Sequence, residues 1–177
     1  MSTLPIRIIP DPVLRQVAQP VASVDKRIAA FMDDMLQSMY KNNGIGLAAN
    51  QVGSLERVIT VDISESRNGT KALLMANPTV TWFDPEATFT YNEGCLSIPE
   101  QYAKVTRPKR IRVSYLDKHG KAQEMEAEDL LSQCIQHEID HLNGVLFIDY
   151  LSKLKRGMIT RKVEKAQRME HDNGHVL

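Results

Sequence analysis

Glu128-Asp129-Leu130-Leu131-Ser132-Gln133-Cys134-Ile135-Gln136-His137-Glu138-Ile139-Asp140-His141-Leu142-Asn143-Gly144 is the stretch on which the fold turns. It predicts a helix from about Glu128 to Asn143, closed by Gly144, a residue that takes the left-handed conformation at a helix end without strain. Within it His137-Glu138-Ile139-Asp140-His141 has the pattern H-E-x-x-H. At about 1.5 Å of rise per residue, imidazoles four positions apart stand one above the other and reach a single divalent ion. Glu138, beside a ligand, is placed to take a proton from a metal-bound water without ligating the metal itself.

A catalytic site of this kind needs a third protein ligand and an open fourth position, whereas a structural site closes all four. Two cysteines are available, Cys95 and Cys134. Cys134 shares the helical face of His137 and His141, yet it stands about 10 Å along the axis from His141, and it reads better as a small buried hydrophobe. Cys95 lies in Asn92-Glu93-Gly94-Cys95-Leu96-Ser97-Ile98-Pro99, where a strand gives way to a segment marked by glycine and proline. From there a thiolate can reach a helix across a cleft. Two rival readings use the same residues. The longer zinc-protease pattern H-E-x-x-H-x-x-G-x-x-H holds through Gly144 but ends here on Phe147, which cannot ligate; a protease drawing on Glu164 would take it from among Arg161, Lys162 and Lys165. A structural site closed by Cys95, Cys134, His137 and His141 is the other.

Working outward, strands are predicted at Val58-Ile59-Thr60-Val61, Ala72 to Met75, Thr88 to Tyr91, Lys104 to Thr106 and Arg110 to Tyr115, with Asp117-Lys118-His119-Gly120 turning the last into a partner at Lys121 to Ala127. Ile28, Phe31, Met32, Met35, Leu36, Met39 and Tyr40 recur at threes and fours, a helix capped by Ser23 or Asp25 and stopped at Asn42-Asn43-Gly44, its methionines filling core. Pro5, Pro10, Pro12 and Pro20 make the first 22 residues an extended segment laid over the body. A last helix is predicted from about Ser152 to Glu170, with Leu154, Met158, Val163 and Ala166 on its packed side, and residues 171–177 as a frayed tail. The expected fold class is α+β, mixed or antiparallel strands around a central H-E-x-x-H helix with a C-terminal helix, in one domain over residues 1–170.

Composition agrees with one soluble domain: of 177 residues, 42% are hydrophobic and 25% charged. The 22 basic residues balance the 22 acidic ones, so no global field gathers nucleic acid or an anionic membrane. No apolar run has the length of a membrane span and the start lacks a secretory signal, so the expected compartment is the cytoplasm.

One further segment, Gly44-Ile45-Gly46-Leu47-Ala48-Ala49-Asn50-Gln51, brings a backbone that can pass close to a ligand and an amide donor. Taken in order, G-I-G-L-A-A-N-Q, E-G-C-L-S and Q-H-E-I-D-H resemble the three motifs of the peptide deformylases, G-x-G-x-A-A-x-Q, E-G-C-L-S and Q-H-E-x-D-H. The resemblance covers most of the chain, from the proline-rich start through Gly144-Val145-Leu146-Phe147-Ile148-Asp149-Tyr150-Leu151 to the last helix.

It implies a monomeric enzyme that hydrolyses the formyl group from the N-terminal formyl-methionine of nascent chains. It implies Cys95, His137 and His141 as ligands of one divalent metal, Fe(II) natively with Zn(II), Ni(II) or Co(II) as alternatives, and Glu138 as proton shuttle. The Gln51 side chain and the Leu96 backbone N–H would be the oxyanion donors. Ile45, Gly46 and Gly94 would pair with the peptide backbone, and Ile45, Leu130, Cys134 and His137 would wall the methionine pocket. Gln133, where an apolar residue is expected, and Tyr102, where arginine is frequent, depart from the pattern. The last helix carries Lys153, Lys155, Arg156, Arg161, Lys162, Lys165 and Arg168 against Glu164 and Glu170. By the same resemblance it implies ribosome association.

Overall fold

Three of the four residues of Val58-Ile59-Thr60-Val61 are apolar, and all four are buried, because both faces of their strand are covered. Ile59 and Val61 pack with Cys134, Ile135 and Leu142 on one side. Val58 packs with Ile28, Met32, Met35, Leu36 and Met39 on the other. The two helices that supply these residues therefore sandwich the sheet, and the methionine stripe is core, as its spacing predicts.

The computed structural model describes residues 2–173. The elements run α1 (Lys26–Lys41), β1 (Gly46–Ala48), β2 (Val58–Val61), β3 (Leu73–Phe83), β4 (Thr88–Cys95), β5 (Ile98–Pro108), β6 (Arg110–Leu116), β7 (Ala122–Glu128), α2 (Asp129–Leu142) and α3 (Lys153–Asn173). β1, β2, β3, β6 and β7, in that order, form an antiparallel sheet, while β4 and β5 form a separate hairpin. The architecture is the expected α+β one, with the H-E-x-x-H helix at its centre. α1 starts at Asp25, whose carboxylate accepts from the Ile28 N–H at 2.8 Å. α2 ends at Asn143, followed by Gly144 at φ 73°, where an added Cβ would also lie 2.5 Å from the Arg15 carbonyl oxygen. Conformation and contact both require glycine there.

The N-terminal segment is extended apart from a reverse turn at Ile9–Pro10, closed by the Asp11 N–H on the Ile8 carbonyl at 3.0 Å, and a 3-10 turn at Pro12–Arg15. Its backbone N–H groups reach the carbonyls of Gln51 (from Arg7, 2.7 Å), Ser97 (from Ile9, 3.0 Å) and Leu142 (from Ala18, 2.8 Å). One strap thus binds all three motif-bearing segments together.

Several boundaries differ from expectation for identifiable reasons. β3 continues through Asn77-Pro78 instead of stopping at Met75: a bulge lies between Ala76 and Thr79, Asn77 takes a positive φ, and its side-chain amide bonds both the N–H and the C=O of Val21 at 2.9 Å. β1 is too short for alternation to reveal. α3 runs on through Asn173, so residues 171–173 are helical, and residues 174–177 lie outside the described residues. Of its predicted packed side only Val163 is buried, at 3% exposure; Leu154 is 71% exposed, Met158 46%, and Ala166 is exposed. α3 rests on the body mainly through Val163 and Ile159. No helix among the described residues is long and apolar enough to cross a membrane.

Candidate metal centre

The site forms where the end of β4 meets the buried face of α2. A register shift at the Gly94–Cys95 step, with Glu100 opposite it at φ 60°, breaks the hairpin ladder just where Cys95 leaves it. The thiol thereby reaches the helix: Cys95 Sγ lies 3.3 Å from His141 Nε2. Cys95, His137 and His141 offer ligand atoms that all fall within 4.8 Å of one another. Ligand atoms around a tetrahedral ion of this donor set stand about 3.3–3.6 Å apart, given metal–nitrogen and metal–sulfur bonds near 2.0 and 2.3 Å. The donor set and its spacing fit a single divalent transition metal. Among the described residues Cys134 and Glu164 do not join this group, and Phe147, where the longer zinc motif needs a ligand, stacks on the His137 ring at 6.2 Å.

His137 is aligned from behind. Its Nδ1 is 2.8 Å from Glu93 Oε2, which leaves Nε2 for the metal side. Glu93 is in turn gripped by Arg107, through Nε at 2.6 Å and the second guanidinium nitrogen at 3.1 Å, and Arg107 also reaches Asp140 at 2.7 Å. Burial works against the Glu93 carboxylate, but His137 and Arg107 outweigh it and hold its pKa at about 2. Neither residue stands out in the sequence: Glu93 sits inside a motif read only for its cysteine, and Arg107 lies in a strand predicted to end at Thr106. The available signal was the even spacing that puts Glu93 and Cys95 on one side of a strand.

Glu138 is buried at 3% exposure, and its Oε2 has no hydrogen-bond partner. Burial pushes its pKa up to about 7, against the pull of the His137 charge. The carboxyl group packs on Gly46, where an added Cβ would stand 2.8 Å from Cys134 Sγ and closer still to Glu138. Burial drives the pKa of His141 well below that of free histidine, favouring the neutral form that ligates. At His137 the Cys95 sulfur and the Glu93 carboxylate overcome burial and raise the pKa, so a metal ion here competes with a proton.

Gln51 approaches from the 3-10 turn Ala49–Val52 after β1. Its Oε1 accepts from the Ala48 N–H at 2.9 Å, which turns Nε2 toward Ser97 Oγ (3.1 Å) and Cys95 Sγ (3.5 Å). These groups border a cleft of about 600 Å³ whose walls include Ile45, Gly46, Gly94, Leu96, Leu130, Gln133, Cys134, Tyr102, His137 and Glu138. His141 lies behind it, 1% exposed. Gln51, Cys95, Leu96, His137 and Glu138 thus border one cleft together with Ile45, Gly46, Gly94, Leu130 and Cys134, and Cys134 lies outside the close Cys95–His137–His141 group. Ile6, Ile8, Asn42 and Asn43 also line the cleft and were not anticipated there.

A buried carboxyl group beside two imidazoles and a thiol, bordering a cleft of about 600 Å³, is the side-chain set of a metal-dependent hydrolase of the H-E-x-x-H class. The polypeptide deformylase family model matches residues 3–157. A peptide deformylase of Methylocella silvestris is 53% identical over 173 residues, covering 96% of this chain and 88% of the relative. That of Bartonella henselae is 48% identical over the full length of both. The crystal structure of the Ehrlichia chaffeensis peptide deformylase in complex with actinonin superposes with a TM-score of 0.90 at 39% identity, covering 95% of this chain and 99% of that one. This chain belongs to the polypeptide deformylase family.

Proposed function

We propose that the protein removes the formyl group from the N-terminal formyl-methionine of newly made polypeptides, releasing formate. It acts as a cytoplasmic monomer holding one divalent ion, Fe(II) natively, with Zn(II), Ni(II) or Co(II) able to replace it. The observation that carries this reading is the convergence of Cys95, His137 and His141 beside the unpartnered Glu138 carboxylate at the floor of the cleft. A divalent ion held there supplies Lewis acidity and brings the ionisation of a water molecule close to neutral pH.

The chain's own residues do the rest. β1 is the last strand on its side of the sheet, so Ile45 and Gly46, with Gly94 across the cleft, present backbone to an extended peptide as a strand would. Ile45, Leu130 and Cys134 wall the space for the first side chain. Glu138 takes the proton of the attacking water and delivers it to the departing amine nitrogen as the C–N bond breaks, leaving formate and a free N-terminus. Burial, which raises the pKa of the Glu138 carboxyl above the ordinary carboxylate range, suits a group that must return the proton it accepts. The oriented Gln51 amide and the Leu96 N–H meet the negative charge that grows on the formyl oxygen; removing one such donor costs on the order of 3 kcal/mol of transition-state stabilisation. α3, basic and with Leu154 and Met158 exposed, is the surface that docks on the ribosome near the emerging substrate.

Formate release from formyl-Met-Ala, measured before and after chelation, tests the activity; no release by the metal-loaded protein overturns it. Glu138→Ala is expected to retain the metal and lose about 10²–10⁴ in turnover. Near wild-type rates in that variant would show that another group carries the proton.

A further inference from the structure

Gln133 stands on α2 one turn before His137, 2% exposed, with its amide nitrogen directed at two acceptors. Its Nε2 donates to Glu93 Oε1 and to the Val105 carbonyl at 3.1 Å. Glu93 thus receives two donors on each oxygen: Arg107 Nε and Gln133 on Oε1, Arg107 and His137 on Oε2. That fills the four acceptor positions of a carboxylate. The arrangement also closes a ring. Residues 133 and 137 lie above one another on the same helical face and hold opposite oxygens of one carboxylate, so the carboxylate plane is set relative to the helix that bears both imidazoles.

Arg107 alone does not set it, because Asp140 at 2.7 Å and Tyr150 at 3.3 Å also draw on its guanidinium. Packing does not account for the amide either. Gln133 Oε1 is buried without a partner, a cost an apolar side chain of the same size would avoid. What the amide contributes is the bond to Glu93. We propose that Gln133 is a positioning residue for the metal centre: it fixes Glu93, Glu93 fixes the ring of His137, and the cleft wall is thereby tied to the ligand set. The inference rests on Cys95, His137 and His141 binding a metal ion.

Zinc-loaded protein allows an NMR test that is independent of turnover. In the wild type the Gln133 side-chain amide protons are expected to exchange slowly with solvent, and the His137 Nδ1 proton to give a resolved, downfield signal. In Gln133→Met, which keeps length and volume but donates nothing, that signal is expected to broaden or move upfield. Zinc loss to a chelator should quicken about tenfold, the lower end of the effect of removing an outer-shell partner. An unchanged His137 signal with zinc loss within about twofold of wild type overturns the proposal, as does a lowered melting temperature as the only change. Should Gln133→Met fail to fold, rapid exchange of the wild-type Gln133 amide protons overturns it by itself. A wild type that binds no zinc instead defeats the metal reading on which it rests.

Discussion

Glu93 Oε2 lies 2.8 Å from His137 Nδ1, so a strand of the small hairpin orients an imidazole that the helix carries. Glu93 is also the partner of a guanidinium that is 4% exposed. Two functions rest on one carboxylate.

Glu93→Ala is therefore expected to cost both stability and metal. Leaving a buried Arg107 without its main counter-ion costs about 3–5 kcal/mol, read as a lower denaturant midpoint. Metal affinity should fall about 10–100-fold. A stability loss below about 1 kcal/mol would show that Asp140 and Tyr150 satisfy Arg107 unaided.

Gly46→Ala introduces a methyl group into the space of the Glu138 carboxyl and Cys134 Sγ. Overpacking of this kind costs about 1–3 kcal/mol. Displacing Glu138 by about 1 Å is expected to remove about 10² from kcat/KM, with metal content unchanged. Steady-state kinetics alongside metal analysis decides it; a variant with wild-type kcat/KM would mean that the carboxyl has room to move.

Burial, with the hydrogen bond to Asp62 behind it, pushes the Tyr40 hydroxyl from its ordinary value of 10.0 up to about 12. A raised folded-state pKa favours the protonated fold. Its contribution is thus complete below about pH 10 and is lost as pH rises through about 12. Melting curves from about pH 9 upward should show wild type losing stability faster than Tyr40→Phe across that window. Parallel curves would remove Tyr40 from the alkaline transition.

Association of α3 with ribosomes is expected to weaken as salt is added. Replacing Arg161, Lys162 and Lys165 by Glu should flatten that dependence, by about 0.7–0.9 in log–log slope for each phosphate no longer neutralised. Sedimentation with ribosomes at graded salt checks this, and salt-independent binding would exclude a phosphate-binding surface.

The large elements were legible wherever a single periodicity governs. α1 shows in its methionine stripe, α2 in its histidine spacing and closing glycine, and the β6–β7 hairpin in its turn residues. The metal-capable group of Cys95, His137 and His141 was legible because chemistry restricts the residue types and order of such a motif. What could not be read depends on residues distant in sequence. Asn77 continues β3 only because Val21 is there to receive its amide. Arg107 is buried only because Glu93 and Asp140 meet it. The apolar spacing on α3 misled because the body reaches only as far as Val163 and Ile159, leaving Leu154 and Met158 uncovered. Gln133 looked like a departure from an apolar wall, since nothing near it in sequence discloses the carboxylate it meets.

The supporting carboxylate and the sulfur ride two residues apart on β4, both turned to α2. A hairpin docked one residue out of step would carry the pair away together, parting His137 from its orienting carboxylate and His141 from the sulfur at once. Errors in that docking should therefore remove both contacts together and spare neither.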